Sequence, residues 1–275
     1  MKNIISCVLL LLVISPIVAQ KLEKIWETPA IFKVPESVLY DNGEDVLFIS
    51  NIDGASGEKD GKGHISKVSK EGKMISLEWV IGLNAPKGMA TFGNMLYVAD
   101  VDAIISIEKK TGNIISKTTV PGAKFLNDLT ADDNGTLYFS DSETGIIHEM
   151  KQDKAPEVFI SGRTRPNGVY FYDGRLYFAD AGALYTKDTD GTILELAKGM
   201  ERSTDGIEPI NDNLFLMSAW VGEIYLVNLN GEVTILLSSK NEKINSADIG
   251  FDRKNSILYV PTFSDNRVVA YKVVL

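Results

Sequence analysis

An all-β fold, a six-bladed β-propeller with four antiparallel strands per blade, is predicted by three features of the sequence. A short apolar run recurs six times: "LFIS" at Leu47, "LYVAD" at Leu96, "LYFSD" at Leu137, "LYFAD" at Leu176, "LFLMS" at Leu214 and "LYVPT" at Leu258. The spacings of 49, 41, 39, 38 and 44 residues fall in the range of propeller and solenoid repeats. Within each period, runs of alternating, strand-forming residues are separated by turn signals such as "SKEGK", "EKKTGN", "KDTDGT" and "NLNGE". No stretch of useful length carries a helical period, which argues against a helical solenoid.

The elements follow in order. Residues 1–19 read as a cleavable secretory signal peptide: Lys2, an apolar core over 4–14, and small residues at Val18-Ala19. The only cysteine, Cys7, falls inside that core, so neither a lipid-anchored start nor a disulfide framework is expected of the remainder. The expected location is therefore secreted or periplasmic. No other apolar run reaches membrane-spanning length.

Residues 20–275 are then expected to form one propeller domain. "KLEKIWET" (21–28) reads as a strand with no partner in its own period, while the sixth period, ending "RVVAYKVV", lacks an outer strand. Pairing the two closes the ring and removes exposed sheet edges. The first period is lengthened by the Gly-rich "NIDGASGEKDGKG" (51–63), which should overhang one channel mouth.

Twenty-eight basic against 37 acidic residues give a net charge of −9, and losing residues 1–19 removes a lysine but no acid. An acidic chain without a basic face is a poor nucleic-acid binder. No serine-hydrolase elbow, P-loop or dinucleotide fingerprint is present.

In a propeller the starts of the inner strands converge on the central axis. That position reads Glu36, Lys87, Asn127, Asn167, Asp205 and Ala247 through the six blades. An Asn or Asp before Gly at a strand start is by itself a turn residue. Four oxygen donors at one register, with no His or Cys, instead suit a hard cation such as calcium or another divalent, oxygen-preferring ion. Lys87 is the exception. Its ammonium either reaches solvent at the mouth, pairs with Glu36, or meets an anionic substrate. Phe125, two residues before Asn127, reads as core or as an apolar substrate wall. Asp100, Asp141 and Asp180 close the second strands and read as strand-end hydrogen-bonding devices, whereas Trp220 in the same position shapes the mouth. His64 and His148 both fall outside the axial register; His148 reads as structural, whereas His64, just after the 51–63 loop, reads either as structural or as part of the channel mouth.

On "PE" at 35–36, "ND" at 127–128, "PNG" at 166–168 and "DG" at 205–206, the chain resembles the gluconolactonase/regucalcin (senescence marker protein) group of calcium-dependent six-bladed propellers. It resembles the paraoxonases more distantly. The resemblance implies Glu36, Asn167 and Asp205 as direct metal ligands, with Asn127 beside them on metal, water or substrate. It implies Asp205 as the base that activates water against a lactone or related ester. Lys87, Phe125 and Trp220 join Asn127 as expected substrate contacts. Where gluconolactonase-like members often carry arginine, this chain has Phe125. The alternative expectation is a non-catalytic propeller that binds a small molecule or a protein partner.

Overall fold

The computed structural model describes residues 20–275; the signal-peptide expectation for 1–19 lies outside the described residues. Six four-stranded antiparallel sheets stand around a central axis. Blade one is β1-free and consists of β2 (Pro35–Asp41), β3 (Val46–Asn51), β4 (Gly63–Ser69) and β5 (Met74–Leu83), where β1 is Lys21–Glu27. Blade two is β6 (Pro86–Phe92), β7 (Met95–Asp100), β8 (Ala103–Glu108) and β9 (Ile114–Thr119). Blade three is β10 (Leu126–Ala131), β11 (Leu137–Asp141), β12 (Ile146–Met150) and β13 (Glu157–Ile160). Blade four is β14 (Pro166–Tyr172), β15 (Arg175–Asp180), β16 (Ala183–Lys187) and β17 (Ile193–Lys198). Blade five is β18 (Thr204–Asn211), β19 (Leu214–Ala219), β20 (Glu223–Asn228) and β21 (Val233–Ser238). Blade six takes β22 (Gly250–Asp252), β23 (Ile257–Pro261) and β24 (Val268–Val274) from one end of the chain and β1 from the other.

The closing pair is antiparallel, from Lys21 opposite Val274 to Glu27 opposite Val269. β1 thus becomes the outer strand of blade six, and Lys21, Glu23, Lys24 and Glu27 along it discourage further edge pairing. The seam continues inward: Val38 N–H donates to Asp248 O at 3.1 Å, and Asp248 N–H donates to Glu36 O at 2.9 Å.

The hydrophobic core is divided among the gaps between blades. Phe48 and Ile65 pack with Leu96 and Val98 between blades one and two. Phe178 packs with Ile147 between blades three and four, and Tyr177 with Phe215 between four and five. Leu47 and Ile49 meet Tyr259 and Val268 across the closing gap. The alternation of each strand therefore sends one face to each neighbouring blade, which is why both faces are apolar in the middle strands. Each fully buried Leu, Ile or Phe contributes about 1.5–3 kcal/mol, so the blades are held chiefly by one another.

The strand-end aspartates act as expected. Asp100 accepts the backbone N–H groups of Asn84 and Ala85, Asp141 those of Lys124 and Phe125, and Asp180 those of Thr164 and Arg165, at 2.8–3.2 Å. Each ties down the segment that leads into its own inner strand. This fixes the entry angle of the residues that reach the axis.

Candidate functional site

The inner strands do not run straight past the axis. Pairing with the second strand shifts register between Pro35 and Ser37, Pro86 and Met89, Leu126 and Leu129, Pro166 and Val169, and Thr204 and Ile207. Glu36, Lys87, Asn127, Asn167 and Asp205 sit within these irregularities, where a bulge re-aims a side chain out of the sheet. In blades one, three and five a serine of the second strand accepts the loosened N–H. Ser50 takes Ser37, Ser140 takes Asp128, and Ser218 takes Gly206, at 2.9–3.1 Å.

Asn167-Gly168 is consequently not a turn. The pair lies inside β14, and Gly168 has no positive φ. Its smallness serves a close approach: a Cβ there would stand 2.0 Å from the carbonyl oxygen of Asp205 in the next blade. A Cβ at Gly206 would likewise meet Asp248 Oδ1 at 2.5 Å. These glycines let adjacent inner strands crowd together and bring their site residues into one cavity.

That cavity holds about 340 Å³ at one end of the channel. All of Glu36, Lys87, Phe125, Asn127, Asn167, Asp205 and Trp220 line it. Ala247 is buried just outside β22 and lines none of it. Asn167 donates its amide N–H to Asp205 Oδ1 at 3.0 Å. That bond leaves Asn167 Oδ1 buried without a donor. Asn127 donates to Ser142 Oγ at 3.0 Å, and Ser142 donates in turn to Pro166 O, linking blades three and four beneath the site.

Two of the three expectations held for Lys87 are not met. It does not reach solvent, being 1% exposed. Nor does it stand within 4.0 Å of a Glu36 oxygen; Nζ donates to Ala85 O at 3.0 Å and lies 4.4 Å from the centre of the Phe125 ring. Burial lowers its pKa to about 8, opposed by the fields of Glu36 and Asp100. Phe125 is thus a cavity wall that also faces the ammonium, a cation–π arrangement. Glu36 Oε2 remains buried with no hydrogen-bond donor.

Burial, then Asp205 and Asp248, push the Glu36 carboxyl well above its ordinary range, with Lys87 pulling the other way. Asp205 is raised by burial and Asp248, against the Asn167 hydrogen bond and Arg165. Two buried acids and two oxygens without donors fit an oxygen-preferring cation, which would supply the missing positive charge. Among the described residues no group of three or more His, Cys, Asp or Glu side chains is placed to hold a metal, so any such site depends on the asparagine oxygens.

Several residues were not singled out from the sequence. Arg165, Arg202, Ser203 and Phe263 line the same cavity, and Ser56 brings the 51–63 loop to its mouth. Arg165 and Ser203 occupy the position two before the site residue, the slot that drew attention to Phe125 in blade three; reading it through all blades would have found them. Deeper in the channel a second cavity of about 210 Å³ is lined by Asp128, Glu208 and Asp248. Burial raises all three carboxyls, Asp248 to about 7. For Asp128 and Asp248 the signal was the residue after the site slot, where an aspartate recurs. His64 and His148 line neither cavity; both are buried, and His148 stacks on Phe139 at 5.3 Å.

The architecture defines a six-bladed propeller with an axial cavity at one mouth, lined by aromatic as well as charged and polar side chains. No protein-family model matches the chain, and no curated protein matches it in sequence. Solved structures do. A catalytically inactive virginiamycin B lyase from Staphylococcus aureus with quinupristin is 15% identical, with a TM-score of 0.65 over 93% of this chain and 100% of that one. A gluconolactonase from Xanthomonas campestris is 13% identical, with a TM-score of 0.66 over 88% of this chain and 87% of that one. A chain of a nidogen–laminin complex is 15% identical, with a TM-score of 0.66 over 79% and 84%. At these identities the likeness is one of fold.

Proposed function

We propose that the chain is an exported, divalent-cation-dependent hydrolase of lactones or related esters, with calcium as the preferred ion. The observation that carries this reading is the pair of buried oxygens without donors, Glu36 Oε2 and Asn167 Oδ1, in a cavity whose one lysine bonds elsewhere. The fold shared with a gluconolactonase supports it at the level of architecture.

Glu36, Asn167 and Asp205 would hold the cation, with Asn127 as a fourth oxygen. The bound ion would supply Lewis-acid polarisation of an ester carbonyl. Asp205, oriented by Asn167, accepts the proton of the attacking water. Phe125 and Trp220 flank the substrate body, and Lys87 offers a buried donor to its oxygen atoms.

The test starts with melting temperature in calcium and in chelator, since a ligand specific for the native state stabilises by mass action. Calcium should raise it, and Glu36→Ala should abolish the rise. A lactone panel follows, with Asp205→Ala expected to lose hydrolysis. Full lactonase activity in Asp205→Ala would remove Asp205 as base. If neither chelator nor Glu36→Ala moves the melting temperature and no lactone is opened, the chain is a non-catalytic binding propeller.

A further inference from the structure

The cavity carries its acids, Glu36 and Asp205, at the floor and two arginines at its rim. Arg165 and Arg202 are both exposed and both line it. Neither has an ion-pair partner within 4.0 Å among the described residues, whereas Arg163 and Arg267 pair with Asp180 and Asp265. On a chain of net charge −9, two unpaired guanidinium groups at one cavity mouth are a local reversal of sign.

The surroundings are built rather than incidental. The Arg165 backbone is pinned by its N–H to Asp180 Oδ1 at 2.8 Å. Beside Arg202, Ser203 Oγ is buried and has no hydrogen-bond partner. The backbone N–H of Trp220 donates to Ser203 O at 2.8 Å, which holds the two residues side by side in the cavity lining. Trp220 is 41% exposed and meets Phe263 edge to face at 5.5 Å, leaving an open apolar face in the cavity lining.

We propose that Arg165, Arg202 and Ser203 form a carboxylate-binding subsite at the rim, and that the ligand joins a carboxylate to a flat apolar body packed on Trp220. Guanidinium forks recognise carboxylates through paired, charge-assisted hydrogen bonds, and a buried hydroxyl without a partner adds a third donor. The guanidinium groups stand at the mouth, so a ligand held by them enters in one orientation, anion outward. Joined to the hydrolase reading, on which this step rests, the substrate class is a lactone or ester that carries a free carboxylate away from the reacting carbonyl.

The experiment compares phenylacetate with phenylacetamide, equal in shape and different in charge, by titration calorimetry on the chain from residue 20 with calcium present. Phenylacetate should bind about tenfold tighter, and Arg165→Gln and Arg202→Gln should each remove most of that preference while leaving the amide unchanged. Both arginines are exposed, so melting temperatures should stay at the wild-type value. Added salt should weaken the carboxylate alone. Equal binding of the two probes, binding of neither, or a preference that survives the double variant would overturn the subsite. Turnover separates the two readings. Probe discrimination without hydrolysis of any lactone sinks the hydrolase reading and leaves the subsite standing. Hydrolysis of neutral and carboxylated lactones with the same KM sinks the subsite and leaves the hydrolase standing.

Discussion

At the scale of single residues, Lys87 and Glu36 set the character of the floor. A carboxylate buried without a donor is costly, and burial therefore drives Glu36 toward its neutral form in the absence of a cation. Glu36→Gln should raise the melting temperature measured in chelator and erase the gain on adding calcium. Lys87 opposes a bound cation at a distance set by its bond to Ala85. Lys87→Met keeps the volume and the packing on Phe125 but removes the charge, so calcium should bind about tenfold tighter, or ~1.4 kcal/mol. Calorimetric titration checks this; unchanged affinity would mean that the ammonium does not feel the ion. The axial register of both residues was legible in the sequence because it follows from the repeat. The absence of a bond between them was not, because it depends on where a four-carbon chain finds its acceptor.

Among the elements, the inner strands carry the site and the closing strand carries the ring. The expectation of β1 pairing with β24 is met from Lys21 to Glu27, with one bulge between Lys24 and Trp26. A chain beginning at residue 29 would leave β24 as a bare edge in blade six, and it should aggregate or melt at a lower temperature than one beginning at residue 20. Light scattering and thermal melting together test this. The sequence misled at Gly168. A glycine after Asn looks like a turn signal whether its role is a positive φ or room for a neighbouring backbone, and only the packing of β14 against β18 tells them apart. Gly168→Ala should cost about 1–3 kcal/mol through overpacking against Asp205, and displace Asp205 with it. Gly168→Ala with wild-type stability and wild-type calcium response would contradict the close approach.

For the molecule as a whole, the channel gathers acids from four blades, and Asp248 stands electrostatically between the two cavities. Its field raises Glu36, Asp205, Asp128 and Glu208, while burial brings Asp248 itself to about 7. A carboxyl whose folded pKa exceeds its unfolded one binds more protons when folded. Its contribution is thus full below the unfolded pKa near 4 and is lost as pH rises through about 7. In chelator, the protein should therefore melt lower at pH 8 than at pH 5, and Asp248→Asn should flatten that slope. Calcium should restore most at the higher pH, because its ligands must be deprotonated to bind it. Equal melting temperatures across that range would mean that water reaches the channel acids. The repeat made six blades readable, yet it could not reveal this coupling, since Asp248 follows a slot that Ala247 leaves blank.

The seam between blades one and six has a consequence in time. Glu36 is joined to Asp248 by a backbone hydrogen bond, and residues 21–27 clasp residues 269–274, so the two flanks of the floor come from opposite ends of the chain. A ribosome that has delivered five blades has delivered most of the cavity wall but no finished floor. The cation site would come into being only when the circle shuts, and the ion, once seated, would act as a latch on it.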